Sequence, residues 1–464
     1  MSTRRLFERT AACAADFVES LATRPVEAQA DVEELRASLG GPLPERSSDP
    51  ERVISELAAA AEPGLVGMAG GRYFGFVIGG GVPAAVAADW LTSVWDQNAG
   101  LYVGGPAASV VEEVAADWLR DLLGLPLGVS TGFVTGCQMA HVTALAAARW
   151  QVLSEAGWDV GREGLAGAPR IRVLAGEQRH VTIDRALRLL GLGTASVEPV
   201  PSDGQGRMEA EPLRRALASG GGPTIVCAQL GNVNTGAFDP LPAIADAATE
   251  AGVWLHVDGA FGMWAAASPR LRHLCEGVER ADSWATDAHK WLNVPYDSGI
   301  AFCAHPVAHH AAMAVQADYL IHDEERLRRD QMDWVPEFSR RARGFPVYAA
   351  LRSLGRTGVA ELVERCCSCA LRFAERLGAE DGVEILNDVV LNQVLVRIGD
   401  GQTTDEVMRL VRESGEAWVS GTKWGGESAM RISVSNWQTA DAEVDRAVEA
   451  IRQAASIAAR SVAT

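Results

Sequence analysis

Features that would indicate a nucleic-acid-binding, membrane or secreted protein are missing from this sequence. Acidic residues outnumber basic ones, 60 Asp and Glu against 42 Lys and Arg, for a formal net charge of −18. This balance argues against nucleic acid or an anionic membrane as the main partner. The apolar run 65–88 is rich in glycine and broken by Arg72, so we expect no membrane span. Asp16 and Glu19 interrupt the region where a signal peptide would be apolar, which predicts a cytoplasmic protein.

Regular cysteine spacing is also missing. The eight cysteines show no pattern of a disulfide framework or a zinc site. Cys366, Cys367 and Cys369 resemble a CxxC pair, but they lie in a stretch with the pattern of one amphipathic helix. We therefore expect reduced, packed thiols and no metal site.

The sequence does contain helical stretches that alternate with short apolar runs. The strand-like runs are 171–176, 224–231, 253–259, 282–288 and 299–304. Continuous apolar strands separated by helices predict an α/β fold whose central sheet is mostly parallel and covered by helices on both faces. Ligands of such sheets bind beyond the carboxyl ends of the strands.

The order of these elements predicts three parts. Residues 1–85 are expected to form a helical N-terminal segment, 86–334 a large domain around the sheet, and 335–464 a smaller α+β C-terminal domain. A chain of 464 residues that is 48% hydrophobic is long enough to bury cores of that size.

An acid and a lysine stand where two of the strands are expected to end. Asp258 ends the run VWLHVD, and Lys290 follows in AHKW. A lysine amine can form a Schiff base with a cofactor aldehyde, and a buried carboxylate can keep a pyridine nitrogen protonated so that the ring accepts electrons. The pair therefore predicts pyridoxal phosphate. The alternative interpretations are a helix-capping aspartate and a surface lysine, although Trp284 and Trp291 are not typical of an exposed loop.

A glycine-containing turn precedes a long alanine-rich helix at TGCQMAH, residues 135–141. Free amides and the positive end of the helix dipole suit a phosphate dianion there. We expect the amides of Gly136, Cys137 and Gln138 to face it. His289 either reaches the same phosphate or packs in the core.

Two residues are candidates for the faces of the cofactor ring. His180 follows a strand in GEQRHVTIDRAL, where it either stacks on the pyridine ring and orients the substrate carboxylate or caps a helix. Ala260, two residues beyond Asp258, is small enough for the ring to pack closely against its other face.

Taken together, these segments resemble the group II pyridoxal-phosphate-dependent amino-acid decarboxylases, the family of aromatic-amino-acid and glutamate decarboxylases. The similarity covers nearly the whole chain, in the segments 24–26, 72–91, 110–126, 135–141, 231–241, 256–262, 281–291, 339–355, 391–397 and 430–439. It implies the aspartate-aminotransferase fold and an intertwined homodimer with active sites at the subunit interface.

The resemblance also implies roles for individual residues. Lys290 would be the Schiff-base lysine, Asp258 the pyridine-nitrogen partner and His180 the ring-stacking histidine. Gly136, Cys137, Gln138 and His289 would contact the phosphate, Ala260 would line the ring, and Asn232 would lie near the cofactor's phenolic oxygen. Phe76, Val77 and Ile78 would line the substrate pocket, and Arg431 would bind a substrate carboxylate or support the fold.

One position departs from the family pattern. Family members carry a tyrosine on a mobile loop that protonates the carbanion left by carbon dioxide, but Gln331 stands at that position in HDEERLRRDQMDW, residues 322–334. Glutamine cannot act as this acid. Tyr319, Asp330 and Asp333 are the alternatives. The density of charge in the loop predicts a solvated, mobile lid.

The sequence therefore predicts decarboxylation of an L-amino acid, with an aromatic or apolar substrate favoured. The main alternative follows from Gln331: a carbanion that is not protonated promptly reacts with dioxygen and gives an aldehyde by decarboxylative oxidative deamination. Other lyase or transaminase reactions are further options. A non-catalytic protein that binds pyridoxal phosphate is the alternative from another class, and Lys290, Asp258 and His180 together argue against it.

Overall fold

The computed structural model describes residues 2–315 and 328–462, with side chains as far as residue 460. These residues form two compact units. The large unit consists of Gly79–Ser368 with Asn387–Gln393, and the small unit of Met1–Ile78, Cys369–Leu386 and Val394–Thr464. The domain boundaries expected near residues 85 and 334 stay a prediction.

The small unit begins with three helices, as the sequence predicts for this segment. They are α1 (Thr3–Ser20), α2 (Val32–Leu39) and α3 (Pro50–Ala61). Helix α2 begins where a capping box forms: the Asp31 carboxylate accepts from the amides of Glu33 and Glu34, and the Glu34 carboxylate accepts from the amide of Asp31.

The large unit is built from alternating strands and helices. Its strands are β1 (Ser130–Val134), β2 (Arg172–Gly176), β3 (Val197–Val200), β4 (Thr224–Gln229), β5 (Trp254–Asp258), β6 (Ser283–Asp287) and β7 (Gly299–Cys303). Its helices are α4 (Pro83–Trp95), α5 (Pro106–Leu123), α6 (Cys137–Glu155), α7 (Val160–Glu163), α8 (Val181–Leu189), α9 (Ala210–Ala218), α10 (Leu241–Ala251), α11 (Pro306–Met313) and the first part of α12 (Gly344–Gly378).

The seven strands form one sheet in the order β1-β7-β6-β5-β4-β2-β3. The pairs within β3-β2-β4-β5-β6 are parallel, whereas β7 is antiparallel to both β6 and β1. Every residue of β1, β4, β5, β6 and β7 is buried, and β4, β5 and β7 accordingly have short, mostly apolar sequences without regular polar alternation. Parallel neighbours end at the same edge of the sheet, so the carboxyl ends of β4, β5 and β6 lie together.

The small unit has a second sheet of four strands in the order β10-β11-β9-β8. Its strands are β8 (Val383–Ile385), β9 (Gln393–Ile398), β10 (Ser420–Trp424) and β11 (Glu427–Ser433), and its helices are α13 (Gly401–Glu413) and α14 (Asp441–Val462). The predicted fold class is therefore confirmed: a mixed, mostly parallel central sheet with helices, and a smaller unit around an antiparallel sheet. Within the described ranges, none of the helices combines the length and the apolar character that crossing a membrane requires.

Candidate active site

Asp258 and Lys290 follow neighbouring strands to the same edge of the sheet. Asp258 is the last residue of β5 and pairs with Ala285 of the parallel strand β6. Lys290 lies three residues after β6 ends at Asp287. Each of the two charges affects the pKa of the other group, so the acid and the amine that the sequence predicts as a pair share one site.

Lys290 pairs with an acid that the sequence analysis did not select. Its Nζ lies 3.1 Å from Oδ2 of Asp287 and 5.9 Å from the centre of the Phe261 ring. Burial lowers the pKa of the Lys290 amine, but the carboxylate of Asp287, with Cys137 and Asp258, outweighs burial and raises that pKa. The amine is therefore protonated at neutral pH, and it must lose a proton before it can attack an aldehyde.

The predicted phosphate turn lies beside the same carboxylate. Gly136 is the N-cap of α6, and the amide of Cys137 donates to Oδ1 of Asp287 over 2.5 Å. A Cβ on Gly136 would lie 3.2 Å from Cε1 of His289, so a larger residue would crowd the turn. The Gln138 side chain points elsewhere, because its Nε2 donates to the carbonyl of Thr182 over 3.3 Å; its backbone remains in the first turn. Helix α6 thus offers amides to an anion, and Asp287 is the anion placed there.

His289 belongs to the same cluster. Its Nε2 is 3.4 Å from Oδ1 of Asp287, and its Nδ1 accepts from the amide of Ser298 over 3.2 Å. The ring stacks on Tyr296 with centroids 4.3 Å apart. Burial lowers the pKa of His289. A neutral ring whose Nδ1 accepts must carry its proton on Nε2, which then points toward the phosphate turn.

Asp258 is held by hydrogen bonds at both carboxylate oxygens. Oδ1 accepts from the amide of Ala260 over 3.1 Å, and Oδ2 lies 3.5 Å from Nε2 of His141. Burial raises the pKa of Asp258, but the attraction and hydrogen bond of His141, with smaller effects of His180 and Lys290, hold it below its ordinary range. A carboxylate that stays ionised is what a protonated pyridine nitrogen requires.

His180 takes part in a helix cap. It is the N-cap residue of α8, where its Nδ1 accepts from the amide of Thr182 and lies 2.8 Å from the Thr182 hydroxyl. The helix-capping role that the sequence offered as an alternative is therefore observed, and it involves Nδ1 of His180. The effect of His180 on the pKa of Asp258 places its ring near the site, and stacking on the cofactor stays a prediction.

Asn232 is buried, and both ends of its side-chain amide have partners. Nδ2 donates to the carbonyl of Gln178 over 3.2 Å, while Oδ1 accepts from the amides of Asn234 and Thr235. These bonds shape the turn after β4. The predicted contact of Asn232 with the phenolic oxygen of the cofactor stays a prediction.

A glycine run packs directly on the lysine segment. The amide of Gly79 donates to the carbonyl of His289 over 3.3 Å, and the amide of Val82 donates to Asn293 over 2.7 Å. A Cβ at Gly79 would lie 1.9 Å from the carbonyl oxygen of Lys290, so only glycine fits there. This glycine run is apparent in the sequence, but its packing against the lysine segment was not predicted.

The predicted substrate residues lie in the small unit. Phe76 and Val77 have φ angles of 57° and 79°. Residues other than glycine rarely adopt positive φ angles, and they are most unusual for a β-branched residue such as Val77. Ile78 follows them, and its carbonyl accepts from the Ser435 hydroxyl over 3.0 Å. Arg431 lies on β11, and burial lowers its pKa. A role of these four residues in substrate binding stays a prediction.

Gln331 is not part of a solvated loop. It begins a short 3-10 helix, Gln331–Trp334, is 3% exposed, and donates from Nε2 to the Ser109 carbonyl over 3.2 Å. Asp330 is also buried and accepts from the amide of Tyr102 over 2.7 Å. The expectation of a solvated lid was wrong for these residues, because their polar groups find partners on α5 and the turn before it. Residues 322–327 and Tyr319 lie outside the described part of the chain.

The residues present fit pyridoxal phosphate. Asp258 is an ionised, buried partner for a pyridine nitrogen, and Lys290 supplies an amine. The first turn of α6 supplies amides for the phosphate, and a side chain at Gly136 would crowd that turn. One buried group of possible metal ligands, Cys137, His141 and Asp258, lies within the described residues, but burial holds the pKa of the Cys137 thiol well above its ordinary value. A thiol is a poor metal ligand compared with a thiolate.

Comparison with known proteins agrees with this chemistry. The family model described as the pyridoxal-dependent decarboxylase conserved domain matches residues 33–398. Tryptophan decarboxylase 1 of Oryza sativa subsp. japonica is 27% identical over 94% of this chain and 90% of its own length. The 4-hydroxyphenylacetaldehyde synthase of Rhodiola rosea is 26% identical over 95% of this chain and 92% of its own length.

Solved structures give the same result for the fold. The crystal structure of Oryza sativa TDC with PLP and tryptamine matches with a TM-score of 0.91 at 25% identity, over 98% of this chain and 97% of that one. The family match covers most of the sequence, including the turn at Gly136 and the segment of Asp258 and Lys290. This chain therefore belongs to the pyridoxal-dependent decarboxylase family.

Proposed function

We propose that this enzyme removes the α-carboxylate of an aromatic L-amino acid, with Lys290 as the amine that binds the cofactor aldehyde. The observation that carries the proposal is the meeting of Asp258 and Lys290 at the ends of β5 and β6. The aromatic substrate is supported by a relative that is a tryptophan decarboxylase and by another whose name specifies a 4-hydroxyphenyl product.

The chain's own residues supply the polar steps of the reaction. When bound, pyridoxal phosphate supplies an electron-accepting pyridinium ring. Asp258, ionised and fixed by Ala260 and His141, keeps the proton on the pyridine nitrogen. Lys290 gives up a proton so that its amine becomes nucleophilic, and Asp287 is the nearest carboxylate at 3.1 Å. The first turn of α6 and Nε2 of His289 are the donors that we assign to the phosphate.

Aromatic side chains surround the strained segment of the small unit. The Tyr73 ring stacks on Trp418 with centroids 4.8 Å apart, and the Phe76 ring lies 5.4 Å from Trp418 while remaining 57% exposed. Backbone strain of the kind seen at Phe76 and Val77 collects at ligand-binding segments. An exposed aromatic ring held on such a segment suits an aromatic substrate, and we propose that Phe76 contacts it, with Val77 and Ile78 fixing its position.

The test is a substrate panel measured by carbon dioxide release. We expect kcat/KM for tryptophan, tyrosine or phenylalanine to exceed that for glutamate and for aspartate. Phe76→Ala should lower kcat/KM for the aromatic substrate about ten- to a hundredfold, since burial of one aromatic ring contributes roughly 1.5–3 kcal/mol. Leu43→Ala, at a fully solvated position, is the matched control and should change nothing. Preference for an acidic amino acid would contradict the proposal and direct attention to Arg431.

A second candidate outcome rests on Gln331. Because this buried amide cannot act as an acid, the second candidate is an oxidative reaction that consumes dioxygen and water and releases aldehyde, ammonia and hydrogen peroxide with carbon dioxide. The balance is tested by measuring carbon dioxide, amine, aldehyde and peroxide together. Gln331→Tyr should raise the ratio of amine to aldehyde, and Gln331→Asn should not. An unchanged ratio in both variants would remove Gln331 from the argument.

We also propose that the enzyme works as a cytoplasmic homodimer. In the large unit, helix α4 exposes four large apolar side chains, Trp90, Leu91, Val94 and Trp95, and an apolar patch of this kind is typical of an interface. No cysteine forms a disulfide within the described residues, which agrees with a reducing compartment. Sedimentation of the wild type against Leu91→Asp tests the first proposal, and cell fractionation tests the second.

A further inference from the structure

A line of buried polar groups leads from the first residues of β5 and β6 to Asp258, at the other end of β5. Nε2 of His141 lies 3.5 Å from Oδ2 of Asp258, and Nδ1 of His141 lies 2.9 Å from Nε2 of His256. Nδ1 of His256 lies 2.9 Å from the Ser283 hydroxyl, which in turn accepts from Nε1 of Trp254 over 2.9 Å. These groups come from α6, β5 and β6, and both imidazole rings are fully buried.

The hydrogen-bond pattern has one consistent direction when both rings are neutral. Trp254 can only donate, so the Ser283 oxygen accepts from it. In the direction that gives Asp258 a donor, the Ser283 hydroxyl donates its own proton to Nδ1 of His256. His256 must then donate from Nε2 to Nδ1 of His141, and His141 must carry its remaining proton on Nε2, facing Asp258. The reverse direction would set an unprotonated nitrogen against a carboxylate. Burial, followed by the effect of His141, lowers the pKa of His256 to about 3, which keeps that ring neutral.

We propose that His141 and His256 are positioning residues which deliver an N–H to Asp258 and so keep its carboxylate ionised and aimed at the pyridine nitrogen. The inference rests on the proposed role of Asp258 as partner of that nitrogen. His141 touches Asp258 directly, and His256 fixes the tautomer and orientation of His141. This arrangement serves the same purpose as the outer partners of metal-bound histidines, which set tautomer and ring orientation from a second layer.

The other groups that face Asp258 do not replace this donor. The amide of Ala260 occupies Oδ1, and Lys290 is engaged with Asp287. The Cys137 thiol lies 3.4 Å from Nε2 of His141 and shares that nitrogen with Asp258. A cation bound by Cys137, His141 and Asp258 is the competing interpretation, and it would consume the carboxylate that the pyridine nitrogen needs.

The experiment compares two cofactors that differ at one atom. The dissociation constant of the apoprotein is measured by tryptophan fluorescence for pyridoxal phosphate and for its deaza analogue, in which carbon replaces the ring nitrogen. His141→Phe should weaken pyridoxal phosphate about tenfold or more, the range expected for a hydrogen bond to a charged group, and should leave the deaza analogue nearly unaffected. His141→Gln, which keeps an N–H donor, should restore part of the loss.

Two controls separate a positioning role from a structural one. In an Asp258→Asn background, His141→Phe should have no further effect on pyridoxal phosphate. His305→Gln removes another histidine–carboxylate contact, 2.7 Å from Asp282, and should change neither constant. Equal weakening of both cofactors by His141→Phe would overturn the proposal, as would binding of zinc by the wild type that competes with pyridoxal phosphate. Because the readout is cofactor affinity, the result is independent of which substrate the enzyme decarboxylates.

Discussion

The contact between Lys290 and Asp287 makes a sharp prediction about how the enzyme acquires its cofactor. Lys290 must be neutral to attack an aldehyde, yet Asp287 raises the pKa of its amine. Asp287→Asn keeps the shape of the side chain and removes the charge. We expect the variant to capture pyridoxal faster than the wild type at neutral pH, because a larger fraction of the amine is free.

The distance sets the size of the effect. Two unit charges 3.1 Å apart interact by about 5 kcal/mol at an effective dielectric constant of about 20. Desolvation of the amine and of the carboxylate cancels part of this attraction. If only about 1.4 kcal/mol remains, the neutral fraction of the amine at a given pH rises about tenfold. We therefore expect a rise of about tenfold or more in the capture rate.

The assay is stopped-flow absorbance of the apoprotein mixed with pyridoxal, which lacks the phosphate and so reports on the amine alone. The sequence contains two lysines, Lys290 and Lys423, and the assay is run in a Lys423→Ala background so that Lys290 is the one lysine. A raised pKa slows capture below that pKa and has no effect above it. The rates of the Asp287→Asn variant and its parent should therefore differ most at neutral pH and converge as the pH rises.

Asp282→Asn is the matched control, since Asp282 adjoins the opposite end of β6 and bonds to His305. It should capture pyridoxal at the parental rate. An Asp287→Asn variant that captures pyridoxal no faster than its parent at neutral pH would refute the assignment of Asp287 as the group that holds the Lys290 proton.

Three further predictions follow from buried groups and from the small number of lysines. Lys290→Ala should abolish the visible absorbance of the bound cofactor and all turnover while circular dichroism stays native, and Lys423→Ala should retain both. Burial is the main reason that the pKa of His309 is lowered from 6.5 to about 3. Between these pH values the unfolded state binds a proton at His309 and the native state does not. The free energy of unfolding therefore falls by about 1.4 kcal/mol per pH unit as the pH drops from 6.5 toward 3. His309→Gln should flatten the dependence of urea unfolding on pH by one proton in that window, and an unchanged slope would contradict the shift. Glu112→Ala should cost about 3–5 kcal/mol by leaving Arg340, 2.8 Å away and fully buried, without its carboxylate, whereas Glu198→Ala at a partly exposed pair should cost under about 1 kcal/mol.

The strands that the sequence predicts are those in the interior of the large sheet. The runs at 171–176, 224–231, 253–259, 282–288 and 299–304 correspond to β2 and β4 to β7, because continuous apolar residues are what such strands require. The edge strands β1 and β3 were not among them. Strand β3 is mostly half-buried or exposed, and β1 begins Ser-Thr-Gly, so neither has a strong apolar run.

Some residues of the candidate site could be predicted from the local sequence, whereas others depend on contacts between distant segments. Asp258 and Lys290 were predictable because Asp258 ends one strand-like run and Lys290 comes shortly after the next, and parallel strands end at one edge. His141 and His256 are far apart in the sequence, and their contact depends on the register of α6 over β5. The burial of Gln331 depends on a hydrogen bond to Ser109 on α5. Contacts of this kind cannot be read from a local pattern.

Asp258 and Asp287 end adjacent strands, and their surroundings give them opposite tasks. Asp258 is supported by the His141–His256 pair, whereas Asp287 pairs with a lysine and occupies an amide of the phosphate turn. Two carboxylates with such different contacts take different roles in a reaction. Cys137 touches both groups, by its amide to Asp287 and by its thiol to His141. Burial raises the pKa of the Cys137 thiol, so this thiol carries no charge at neutral pH and does not change the charge near Lys290. Cys137→Ala therefore removes only the thiol contact, and at neutral pH it should alter the affinity for pyridoxal phosphate without altering the rate at which Lys290 captures pyridoxal. A change in the capture rate would show that the two ends of the site are coupled through this residue.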